Sequence, residues 1–147
     1  MSAEKYDAAA QMAQTTGPTD EDGNLRVWWG VITSLIVLAV LMEAVLAGAM
    51  LSGVSGARAA HAVTAAIVIV SSLTAGLICV ITLRRISHGL KLGLTLLSLA
   101  AVLFLQAALG ALSAKGTNLL WIHIPLGVAL FGFALRAAAG ARRLCRD

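Results

Sequence analysis

Four long runs of apolar residues, parted by three short polar interruptions, dominate the chain. They cover about Val27 to Leu51, Ala57 to Leu83, His88 to Leu112 and Leu119 to Ala139. At about 1.5 Å of rise per residue, a helix over any of them crosses a hydrocarbon core roughly 30 Å thick. Membrane barrels alternate polar and apolar positions, and these runs do not, so helices are the expected elements. Short connections between them predict antiparallel neighbours. The expected fold is all-α: a transmembrane up-down-up-down four-helix bundle.

Composition agrees with the pattern. Of 147 residues, 59% are hydrophobic and 12% charged, with a mean hydropathy of +0.90. A soluble domain of this length needs far more polar surface. Residues 1–26, "MSAEKYDAAAQMAQTTGPTDEDGNLR", are polar and read as a flexible N-terminal tail, too acidic for a signal-peptide start. The bundle is expected over 27–141, and 142–147 as a short basic tail.

Charge sets the expected orientation. Arg84, Arg85 and Lys91 flank the second loop, and Arg136, Arg142, Arg143 and Arg146 crowd the C-terminus. The first and third loops carry only Arg58 and Lys115. The positive-inside rule then predicts a multi-pass protein of the cell membrane with both termini in the cytoplasm. The net charge of +4 follows from this asymmetry and gives no reason to invoke nucleic acid. Trp28 and Trp29 are expected at the inner interface and Trp121 at the outer one. The two cysteines, Cys79 and Cys145, form neither a disulfide framework nor a CxxC site.

A repeat supplies the candidate chemistry. "LMEAVLAGAMLSGVSGARAAH" ends at His61, and "FLQAALGALSAKGTNLLWIH" ends at His123. Glu43 aligns with Gln106, Leu46 with Leu109 and Gly53 with Gly116. One residue fewer in the later loop then brings His61 onto His123. The chain thus reads as two helix-hairpin repeats, each with a polar residue inside one helix and a histidine near the start of the next. The two histidines lie on the second and fourth helices, which run the same way, so they are expected at one depth.

Alternate helices of such a bundle sit diagonally. With neighbours roughly 8–10 Å apart, the diagonal is about 11–14 Å. That gap suits two imidazoles reaching toward one metal from opposite sides, the ligation of a b-type haem. Glycines near the histidines, Gly48 and Gly110 among them, leave room for a porphyrin. They are also what lets membrane helices approach. Arg58 and Lys115 suit haem propionates directed outward. His88 has no counterpart at its depth and belongs with the basic inner face. The plainer alternative is that His61 and His123 are structural.

The segment from Gln106, Leu109 and Gly110 through His123 and "PLGVALFGF" resembles haem A synthase. That family is built of two similar four-helix halves, each holding a haem between histidines on its second and fourth helices. The likeness covers Leu35 to about Leu135 and makes this chain similar to one half, with His61 and His123 at the ligand positions. The family's catalytic half carries a glutamate a few residues before its first histidine. Here Ala57, Arg58, Ala59 and Ala60 stand there, so haem A synthesis is not expected.

Glu43 is the one acid within the four runs. An ionised carboxylate at mid-membrane costs about 2.5–3.5 kcal/mol on insertion scales, so a neutral, paired or hydrated state is expected. Glu43 and Gln106 are expected to join the first and third helices or to bracket the haem pocket; a proton-handling or quinone-contacting Glu43 is the functional alternative. The expected function is a membrane cytochrome with one haem b, passing electrons from a quinol to a redox protein or within a larger complex. An electron carrier or subunit is expected ahead of a stand-alone enzyme. The alternatives are a haem-free structural or assembly subunit and a haem-handling protein.

Overall fold

An acidic run suits the positive end of a helix dipole, and the first helix begins inside one. The computed structural model describes residues 20–144. Helix α1 covers Asp20–Leu51, α2 Ala57–Leu83, α3 Ser87–Ala114 and α4 Leu120–Leu144. No strand occurs among the described residues. Each helix contains a stretch long and apolar enough to cross a membrane.

The apolar pattern locates α2 to the residue but undershoots the ends of the chain. Residues 20–26 and 142–144 were expected as tail and are helical. Backbone hydrogen bonding continues past the point where hydropathy falls, because no proline or left-handed glycine interrupts it there. Residues 1–19 of the expected tail, with Cys145 and Arg146, lie outside the described residues.

Each helix packs on its sequence neighbours, and α4 closes the ring on α1, leaving α1 facing α3 and α2 facing α4 across the centre. Loops 52–56 and 115–119 lie at one end, here the distal end. Both ends of the chain and loop 84–86 lie at the other, the terminal end.

Helices α2 and α3 approach most closely, through glycine. Gly89 and Gly93 repeat one turn apart on α3, the small-xxx-small spacing that lets membrane helices meet. A methyl group at Gly93 would stand 2.9 Å from the backbone nitrogen of Val80, and one at Gly76 would stand 2.9 Å from that of Leu97. Cys79 is fully buried in this seam, its sulfur 3.3 Å from the Gly89 carbonyl.

Each helix sends a stripe inward at three- and four-residue spacing. Ile36 and Val40 do so from α1, Val68 and Ala75 from α2, Leu96 and Leu99 from α3, Leu130 and Ala134 from α4. The outward faces carry Leu38, Ile67, Ile81, Phe104 and Val128, each more than half exposed. That much apolar surface belongs in lipid. Trp28 and Trp121 are exposed, as an interface belt requires, but Trp29 is buried among core residues. It falls on the inward stripe with Thr33 and Ile36, and that outranks its pairing with Trp28.

The two distal turns are built alike. At the end of α1, Val54 N donates to Ala49 O and Gly53 N to Met50 O. At the end of α3, Thr117 N donates to Leu112 O and Gly116 N to Ser113 O. Both are Schellman motifs, with the positive φ borne by Gly53 (78°) and Gly116 (98°). The aligned glycines of the repeat are therefore the same structural device.

Candidate functional site

The inward stripes do not change face at the distal end; they change chemistry. On α1 the stripe running through Ile36 and Val40 arrives at Glu43, and on α3 the one through Leu99 and Leu103 arrives at Gln106. On α2 and α4 the stripes begin with His61 and His123. All four polar side chains therefore face the bundle centre and not lipid.

Each hairpin closes on itself. In the first, Nδ1 of His61 lies 2.8 Å from Oε2 of Glu43, with 21% and 15% of the two side chains exposed. The approach is close but too bent to count as a hydrogen bond, so His61 Nδ1 has no aligned protein partner, and the other carboxyl oxygen, Glu43 Oε1, has none either. In the second, Gln106 Nε2 donates to the His123 carbonyl at 2.7 Å. Nδ1 of His123 lies 3.1 Å from the Gln106 carbonyl oxygen. A carbonyl only accepts, so that nitrogen carries the proton.

The expected bridge between α1 and α3 is thereby corrected. Glu43 joins α1 to α2, and Gln106 joins α3 to α4. The repeat alignment matched like residues across the two units, whereas the contacts are between unlike residues within a unit. The signal was present, since each unit holds one buried polar residue and one histidine.

The loops need a second correction. Loops 52–56 and 115–119 are equal in length, and the caps correspond: Ala60 N donates to Gly56 O, and His123 N to Leu119 O. The one-residue difference falls inside the helix, with His61 one position further in than His123. That offset is about 1.5 Å of rise, so the two rings stay near one level.

The glycines divide. Gly110 lies under His123, where an added methyl would come within 3.0 Å of ring carbon Cε1, and one at Gly127 would come within 3.1 Å of Gln106 Nε2. Gly48 is exposed with open space around it and touches none of the four polar residues. Arg58, in the first turn of α2, and Lys115, in the third loop, are exposed at the distal end. His88 lies at the opposite end, near the start of α3.

The bundle is unevenly sealed. Trp29 to Val40, Val68 to Leu83, Leu92 to Leu103 and Leu130 to Leu144 supply nearly the whole buried core, all toward the terminal end. Around the histidines the inward positions, such as Leu46, Met50, Thr64, Leu109 and Leu126, are only half-buried. Glu43 Oε1, Gln106 Oε1 and Ser113 Oγ are buried there without a protein partner. Trp29 Nε1 and Ser72 Oγ are likewise buried without a protein partner in the terminal half, so it is the lower burial of the side chains that sets the distal end apart.

Among the described residues no group of three or more His, Cys, Asp or Glu gathers to hold a metal. A two-imidazole site needs none. With Nδ1 of each histidine turned to an oxygen, Nε2 is the nitrogen left for a metal, and this is the usual arrangement behind metal-bound histidine. Two imidazoles are the donor set that a b-type haem takes.

The class these features define is an all-helical four-helix bundle with four membrane-length helices. No protein-family model, curated protein or solved structure matches the chain.

Proposed function

We propose that this chain is a membrane b-type cytochrome in which His61 and His123 would hold one haem b through their Nε2 atoms. The observation that carries the reading is the state of the two Nδ1 atoms. Each faces an oxygen, one of Glu43 and one of Gln106, and the imidazoles stand on facing helices of the bundle. An oxygen at Nδ1 of a metal-holding imidazole fixes the orientation of the ring and raises the basicity of Nε2. The half-buried distal interior supports it further.

Bound haem supplies one-electron chemistry at its iron. Held by two protein imidazoles, the iron would offer a substrate no open position, which favours electron transfer over oxygenation. The residues do the rest: His61 and His123 hold the iron, Gly110 makes room for the His123 ring, and Arg58 and Lys115 offer cations for propionates. The positive-inside distribution of arginine and lysine puts both termini in the cytoplasm and the histidines toward the opposite face. A quinol in the bilayer is the proposed donor, and a redox protein or larger membrane complex the acceptor. The likeness to one half of haem A synthase belongs to the same proposal and extends to the scaffold alone.

The test is optical. Protein purified in detergent from haem-supplied cells is expected to be red, with a sharp α-band after dithionite. His61→Ala and His123→Ala are each expected to abolish that band, and His88→Ala to leave it. A second reading has its own support: the Gln106–His123 bonds and the Glu43–His61 contact brace the hairpins without any ligand, as in a haem-free assembly subunit. A colourless wild-type preparation decides for it. Pigment that passes readily to an apo-acceptor and exchanges no electrons marks a haem-handling protein instead.

A further inference from the structure

The two histidines are supported by different chemistry, and the difference is confined to one atom pair. His123 Nδ1 meets a main-chain carbonyl, which no side-chain substitution removes. The side chain of Gln106 instead reaches the His123 carbonyl through Nε2 and so clamps α3 to α4 without touching the imidazole nitrogens. His61 Nδ1 meets a side-chain carboxyl, that of Glu43. Aligned in the repeat, Glu43 and Gln106 therefore do unlike jobs.

Resting on the cytochrome reading, we infer that Glu43 is a positioning residue that sets the electron-donating strength of His61 and thereby the reduction potential of the bound haem, while Gln106 only fastens its hairpin. A carboxyl that takes the Nδ1 proton pushes electron density to Nε2, and density at an axial nitrogen favours ferric over ferrous iron. A carbonyl does the same more weakly. The present Glu43 contact is bent, and such contacts commonly align only when the ligand is in place. Glu43 Oε1, buried and unpartnered, leaves the carboxyl free to turn.

The experiment is a potentiometric titration of detergent-purified, haem-loaded wild type, Glu43→Gln, Glu43→Asp and Gln106→Leu. Glu43→Gln keeps the size of the side chain and removes the carboxyl. It is expected to shift the ferric-to-ferrous preference at least tenfold toward ferrous iron, a rise of about 59 mV for a one-electron couple. Glu43→Asp is expected to recover part of that shift, and Gln106→Leu to stay at the wild-type value. Equal shifts in Glu43→Gln and Gln106→Leu, or none in either, overturn the inference and leave the cytochrome reading standing. If Glu43→Gln loads no haem, Glu43→Asp decides: recovered pigment supports a role for the carboxyl, and an equally colourless protein overturns it. A wild type without haem refutes the reading beneath.

Discussion

At the residue scale, Glu43, His61, Gln106 and His123 form two contacts between helices, and the chain announces only part of this. His61 and His123 were legible because a repeat made a pair of them in a sequence with three histidines. Their inward direction follows from the same spacing that places Val68 and Leu130 in the core. The partnership of Glu43 with His61 was not legible, because alignment compares positions across repeats and contact happens within them. Gln106 offers a clean measurement of what such a clamp contributes. Interhelical hydrogen bonds in membranes average about 0.6 kcal/mol and reach about 1.7. Gln106→Leu is expected to destabilise the protein by that amount in reversible unfolding from lipid or detergent. A loss well above that range would assign the side chain a further contact.

The hairpin is the next scale, and its ends are governed by glycine. Gly53 and Gly116 hold a positive φ that a side chain adopts at a cost of about 1–2 kcal/mol. Gly53→Val and Gly116→Val are expected to cost similar amounts, since the two turns share one hydrogen-bond pattern; unequal penalties in parallel unfolding experiments would break the structural equivalence of the repeats. The α2–α3 seam behaves differently. At Gly93 the obstacle is backbone, so Gly93→Val is expected to cost about 1–3 kcal/mol by overpacking. Gly132, with nothing within 4 Å of an added methyl, is the control, and Gly132→Ala is expected to unfold like wild type. The apolar runs showed where these helices are. They could not show where α1 starts or α4 stops, because hydropathy reports lipid contact and helical hydrogen bonding continues beyond it.

At the scale of the molecule, the ring of four helices was readable from run length and loop length together. The proposed orientation of the two ends rests on the distribution of arginine and lysine. Cysteine placed at Ser52 or Thr117 of otherwise cysteine-free protein is expected to react with an impermeant maleimide applied to intact cells, and cysteine placed at Ile86 only after lysis. The reverse pattern would invert the proposed topology.

Close-packed, mainly apolar side chains fill the terminal half of the bundle, while those around the distal centre are only half-buried. On the cytochrome proposal, a chain without haem still has a footing in the bilayer, and pigment need not arrive while the ribosome is at work. Insertion and maturation are then separable events, with the upper storey as the doorway. Heating is expected to have the converse effect, pigment departing first while the lower storey outlasts it.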